Sequence, residues 1–202
     1  MSGDALQRCP WVGIADPTYL RYHDEEWGVP LLDDRRLFEK LVLEGFQSGL
    51  SWLTILKKRD NFRRAFDGFD AERMARYGER DKARLMADAG IVRNRLKIEA
   101  AIDNARSYLD LTGKQALASF LWGFLDGRPI VHARASTRDV PPQTEVSTRI
   151  SKALKAAGFR FVGPTTVYAF MQSTGMVNDH LVACHRHAAC AALQRDLQVP
   201  TT

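Results

Sequence analysis

The sequence predicts an all-α protein, and three observations carry that expectation. Apolar residues return at three- and four-residue steps along most of the 202 residues. No stretch alternates apolar and polar residues as a half-buried strand would. The periodic stretches open on Asp, Ser or Asn, or on a Pro at the first helical position, and close on Gly.

In chain order, Asp16-Pro17 opens a short helix expected from about Pro17 to Glu25, ended by Gly28 and Pro30. It lies in a segment dense in aromatics: Trp11, Tyr19, Tyr22 and Trp27. Asp33 and Asp34 cap the next helix, Asp34 to Ser48, where Leu37, Leu41, Glu44 and Ser48 share one stripe. Gly49 breaks it, and Trp52 begins a helix running through Lys58 towards Phe62 and Phe66. Its cations Lys57, Lys58, Arg59, Arg63 and Arg64 read as a solvated face.

An amphipathic helix ends at Asp88. Ala89-Gly90-Ile91-Val92 makes a turn, and a new helix begins near Arg93–Arg95 with Ile98, Ile102, Ala105 and Leu109 inward. Residues 115–125 form an apolar helix stopped by Gly127. The Pro-containing stretch 128–144 reads as a surface loop, with His132 a surface residue. Ser147 is expected to cap a helix ended by Gly158, and Gly163-Pro164 to start another ended by Gly175. Asn178 then caps a last helix carrying His180 and Cys184, with 191–202 as a flexible tail.

The length suits one domain or two small lobes; we expect 1–202 as one. Hydrophobic residues at 45% and charged residues at 26% fit a soluble globular protein. No segment is apolar for long enough to span a bilayer, and Met1 to Pro10 lacks the apolar core of a signal peptide. A cytoplasmic protein with no membrane partner is therefore expected. Three cysteines, an odd number, argue against a disulfide framework and for free or metal-bound thiols. The net charge of +5 is compatible with a polyanionic partner and does not require one.

Three constellations carry chemistry. Glu44 sits at the edge of an apolar stripe, where burial costs free energy unless something donates to the carboxylate. Trp52 follows after a tight turn. The pair reads either as the floor of a pocket for a flat polar ring or as a buried ion pair beside a core Trp. The helix–turn–helix at about 79–110 places Arg93, Arg95 and Lys97 at a helix N-terminus, a seat for a phosphate. It reads equally as a plain αα-hairpin. Cys9, His23, His180 and Cys184 make a Cys₂His₂ donor set that suits structural Zn²⁺, would fasten the N-terminal segment to the C-terminal helix and leaves no position open for water; the same residues read equally as one free buried Cys and a surface His pair. His185, His187 and Cys190 crowd the same region as possible substitutes.

Several stretches together resemble one family. They are Cys9-Pro10-Trp11, Asp16-Pro17, the run from Tyr22-His23 to Trp27-Gly28-Val29-Pro30, Leu43-Glu44-Gly45, Gly49-Leu50-Ser51-Trp52, Asp88-Ala89-Gly90-Ile91-Val92-Arg93 and Val177-Asn178-Asp179-His180. In that order, over Cys9 to Cys184, they are similar to the bacterial DNA-3-methyladenine glycosylases of type I. The resemblance implies an all-α helix-hairpin-helix fold. It implies hydrolysis of the N-glycosidic bond of 3-methyladenine in double-stranded alkylated DNA by base flipping, with an abasic site left and no lyase step. It also implies a monomer, with free 3-methyladenine as product and one structural Zn²⁺ on Cys9, His23, His180 and Cys184.

Carried over by motif, Glu44 hydrogen-bonds the flipped base and Trp52 stacks on it. Tyr22 and Tyr19 line the pocket, and Trp11 and Trp27 line or support it. Gly90 and Arg93 meet DNA, and Leu50 is the candidate for the plug that fills the vacated duplex position. The chain departs from the wider superfamily in two places. Val92 stands where many hairpins have a second Gly. Asp103 and Asp110 are poorly placed for the superfamily's catalytic Asp, which the type I branch lacks. Two other readings compete: a non-catalytic, zinc-stabilised helical DNA-binding protein, and a zinc hydrolase using Glu44 as base.

Overall fold

The computed structural model describes residues 6–13 and 16–199. Its helices are α1 (Pro17–Glu25), α2 (Asp34–Gln47), α3 (Trp52–Ala65), α4 (Ala71–Ala75), α5 (Glu79–Ala87), α6 (Arg95–Thr112), α7 (Leu117–Trp122), α8 (Glu145–Ala156), α9 (Pro164–Ser173) and α10 (His185–Arg195). Among the described residues, no helix is long and apolar enough to cross a membrane.

The local chemistry explains most of the boundaries. Asp16 accepts from the N–H groups of Thr18 and Tyr19, and Pro17 follows at the first helical position. Asp33 caps α2 through Arg36 N–H, and Ser51 caps α3 through Thr54 N–H. Asp34 reaches further: its carboxylate accepts from Leu117 N and Ala118 N at 2.9 and 2.8 Å, so the first residue of α2 caps α7.

Helix α2 lies at the centre and packs against α3, α6, α7 and α9. Leu37, Phe38, Leu41, Leu43 and Phe46 are all but sealed from solvent. At roughly 1.5–3 kcal/mol for each fully buried large apolar side chain, this one helix anchors much of the hydrophobic stabilisation. Phe62, Phe66 and Phe69 extend the same core. A second, smaller apolar cluster joins Cys9, Val12, Tyr22, Trp27, Leu56, Leu181 and Cys184, drawn from the two ends of the chain.

Five local expectations are corrected. Ile130–Val131 and Val177–Asn178 pair as a two-residue parallel ladder, too short to show alternation. His180 to Cys184 is not helical: Cys184 is the residue before α10, and Asn178 uses its side chain to accept from His180 N–H at 3.2 Å. Thr144 caps α8, with Ser147 at its third position, because both belong to one reciprocal capping box. Arg59 is not solvated, since Glu26 holds both arms of its guanidinium at 2.6 and 2.8 Å. The expected tail is helical to Arg195; its last residues, 200–202, lie outside the described residues.

Candidate active site and metal cluster

A cavity of about 350 Å³ opens where the two apolar clusters meet. That is the size of a site for one small ring system. Trp11, Tyr19, Tyr22 and Trp27 wall it on one side, Glu44, Gln47 and Trp52 on another. The ring centroids of Tyr22 and Trp52 are 5.5 Å apart, and those of Trp11 and Trp27 are 4.9 Å apart, edge to face. So the structure brings together all six pocket residues expected from the sequence. Trp52 Nε1 is buried and has no hydrogen-bond partner among the described residues.

Glu44 is buried, at 3% exposure. Burial pushes its carboxyl up to about 7, while the Lys40 ammonium and the Ser173 hydroxyl oppose the rise. Tyr19 and Tyr22 are pushed up as well, by burial first and then by the Glu44 charge. The pocket therefore offers aromatic faces and a buried carboxyl, a combination suited to a flat ring that carries positive charge and amino donors.

Sequence reasoning missed part of the lining. Gln47 lies one helical turn after Glu44, a spacing that could have flagged it. Gln172, Thr137 and Val140 had no such signal, because the fold alone carries them to the cavity, whereas Asp179 lies in the Val177–His180 motif. Asp179 is the centre of a buried network. It accepts from Tyr168 Oη at 2.5 Å and from Gln172 Nε2, Arg134 Nε and His132 Nδ1 at 2.7 Å each. His132 is thus a partner of that acid and not a free surface residue.

Cys9, His23, His180 and Cys184 come together, all buried, with their ligand atoms within 4.8 Å of one another. Cys184 Sγ lies 3.5 Å from both His23 Nε2 and His180 Nδ1, and Cys9 Sγ lies 3.7 Å from His180 Nδ1. A tetrahedron with metal–ligand bonds of about 2.0–2.3 Å has edges of about 3.3–3.8 Å, so these spacings fit a metal ion. The outward ring nitrogens are also held. His23 Nδ1 pairs with Asp24 Oδ1 at 2.8 Å, and His180 Nε2 donates to the Trp27 carbonyl at 2.9 Å. Those bonds turn the remaining nitrogens towards the cluster, as metal-binding histidines require.

The alternative ligands are occupied elsewhere. His185 Nδ1 bonds the Gln7 carbonyl, His187 Nε2 bonds the His132 carbonyl, and Cys190 packs near Trp27.

The hairpin is α5, a turn through Asp88–Asn94, and α6. Asp88 accepts from Gly90 N–H at 2.7 Å, and Asn94 caps α6 through Lys97 N–H at 3.1 Å. Helix α3 grips the turn: Lys58 Nζ donates to the Ala89 and Gly90 carbonyls, and Asn61 Nδ2 donates to that of Gly90 at 3.2 Å. A Cβ at Gly90 would meet Asp88 Oδ1 at 2.9 Å and Asn61 Cγ at 3.1 Å, so the position has no room for a side chain. Arg93 is exposed on the rim of the turn.

Lys97 then reaches back and donates to the carbonyls of Phe46 and Ser48 at 2.8 and 2.5 Å. It thereby holds the end of α2 and the turn after it. In that turn Gly49 has φ +77°, the left-handed region that favours glycine, and Leu50 projects at 40% exposure. Asp103 pairs with Arg160 at 2.7 Å, away from the cavity lining.

A family profile described as methyladenine glycosylase matches residues 11–187. The chain is 48% identical over 180 residues to DNA-3-methyladenine glycosylase 1 of Escherichia coli K12, spanning 89% of this chain and 96% of that protein. A crystal structure of 3-methyladenine DNA glycosylase I superposes with a TM-score of 0.87 at 49% identity, covering 90% of this chain and 100% of that one. The Staphylococcus aureus enzyme, solved for the structural basis of 3-methyladenine recognition, gives 0.86 at 38% identity, covering 91% and 97%. With the pocket, the four-ligand cluster and these matches over nearly its whole length, the chain belongs to the methyladenine glycosylase family.

Proposed function

We propose that this chain excises 3-methyladenine from alkylated double-stranded DNA, leaving an abasic site. The observation that carries this reading is the buried Glu44 carboxyl facing, with Trp52 and Tyr22, a cavity sized for one base. An enzyme acting on a base in a duplex must take the base out of the stack. The N3-methylated nucleotide bears a positive charge. Aromatic faces attract a cation, and a carboxylate accepts a charge-assisted hydrogen bond from the exocyclic amine.

In the reaction the bond between the sugar C1′ and the base nitrogen breaks, and its electron pair leaves with the base and cancels the charge. Water bonds to C1′ and gives up a proton. The leaving base is neutral, so little acid catalysis is needed. Recognition, and exclusion of uncharged bases, carry the selectivity. Trp52 stacks on the base, Glu44 orients it, and Tyr22, Tyr19, Trp11 and Trp27 complete or support the walls.

Outside the pocket, the α5–α6 hairpin binds the phosphate backbone through Gly90 and the N-terminal end of α6, with Arg93 beside it. Leu50 fills the vacated duplex position. The protein acts as a single-domain monomer. Cys9, His23, His180 and Cys184 hold one Zn²⁺, and when bound the ion contributes folding energy and no chemical step.

The deciding experiment is release of free base from methylated DNA, resolved by product, for the wild type, Glu44→Gln and Trp52→Ala. Wild type is expected to release 3-methyladenine and each variant to be at least about tenfold slower. DNA binding without release by any of the three would make the chain a binding protein instead.

A further inference from the structure

Lys40 is a buried cation that base recognition as described does not use. It lies one helical turn before Glu44 on α2, so the two side chains share a face. Its ammonium is 5.3 Å from the centroid of the Tyr22 ring and 4.0 Å from Glu26 Oε2. It has no hydrogen-bond partner among the described residues and does not line the cavity. Glu26 is already committed to Arg59, which takes both of its oxygens. Burying a lysine with so little compensation costs free energy, so its charge needs a reason to be there.

We propose that Lys40 is a positioning residue for base recognition: its ammonium, set behind Tyr22 on the Glu44 face of α2, favours negative charge on Glu44 and so readies it for a cationic base.

The surroundings of Glu44 support this. Tyr19 and Tyr22 face it from α1, both neutral at physiological pH, and Ser173 faces it from α9. On α2 the charged neighbours of the Lys40 site are Arg36 and Glu39. From α3, Arg59 and Arg63 are turned to Glu26 and Glu39. From α6, Lys97 is spent on the carbonyls at the end of α2. Lys40 is therefore the cation whose field acts on Glu44 most directly, and it is the leading influence that lowers the carboxyl against burial. Burial pushes Lys40 itself down to about 8, which leaves it charged at neutral pH. The Tyr22 ring lies against the ammonium, a favourable cation–π arrangement.

This inference rests on Glu44 being the group that receives the base, and the test separates the two. The Glu44 carboxyl is titrated by ¹³C NMR in the free protein, assigned by its loss in Glu44→Gln. In parallel, base release from methylated DNA is measured against pH. In Lys40→Met the Glu44 titration and the acid limb of the activity profile are both expected to move up by about one pH unit or more. Lys40→Arg, which keeps the charge, is expected to leave both near the wild-type position. A folded Lys40→Met in which Glu44 titrates unchanged overturns the proposal, and so does a Lys40→Arg that shifts as far as Lys40→Met.

Should Lys40→Met fail to fold, the reciprocal measurement decides. In Glu44→Gln the Lys40 ammonium, followed by ¹⁵N NMR, is expected to lose its proton at lower pH than in the wild type, and an unchanged titration overturns the proposal. If the wild type releases no base, the functional reading falls and the NMR arm still judges Lys40.

Discussion

Glu44 was visible in the sequence as an acid on an apolar stripe, and the pattern alone favoured the other reading, a buried ion pair with an arginine. In the structure Glu44 lines a cavity, and Arg59 is held by Glu26. A carboxyl pushed up to about 7 has a stability consequence with a definite sign. Between about 4.5, where an unstructured Glu titrates, and about 7, the folded chain holds more protons at this site than the unfolded one. Stability from this residue is complete below that window, falls as pH rises through it, and is flat above. Glu44→Gln is therefore expected to be more stable than the wild type at pH 8, by about 3 kcal/mol, and close to it at pH 4.5. Chemical denaturation at the two pH values checks this. The site trades stability for a buried charge, as functional sites often do.

At the scale of elements, several helices were legible from a side chain that caps them locally. Asp16-Pro17 and Asp33 each announce the helix that follows. Elements fixed by distant partners were not. The ladder between Ile130–Val131 and Val177–Asn178 joins segments far apart in the chain, and His180 to Cys184 gives up helical form because four side chains must converge. Lys97 belongs to the same class. Its place in the sequence suggested a phosphate contact, while its ammonium is turned inward onto the end of α2. Lys97→Met leaves two carbonyls without that donor, which costs about 1–3 kcal/mol in thermal or chemical unfolding. It also frees the turn that carries Leu50. We expect affinity for DNA with an abasic site to fall more than affinity for undamaged duplex, as read by fluorescence anisotropy.

For the whole molecule, the four cluster residues and the joining of the two ends of the chain through them were legible in the sequence, but not that the same segments build the pocket wall. Cys9 and His23 come from one end of the chain and His180 and Cys184 from the other, and the pocket wall between them is made by the same two segments. If the four residues hold an ion, removing it should therefore unfold more than its own site. Dialysis against a strong chelator is expected to release about one ion per chain together with the near-ultraviolet circular dichroism of Trp11 and Trp27, and re-addition to restore both. Loss of the ion with an unchanged spectrum would show that the aromatic wall stands without it.

The span between those ligands also bears on synthesis. A nascent chain that has emerged only as far as α9 has its central helix and most of its apolar core, but lacks half the clasp that closes the aromatic wall. Translation must deliver Cys184 before the four-residue cluster can close, so a chain ending just after α9 would hold its core helices without the clasp.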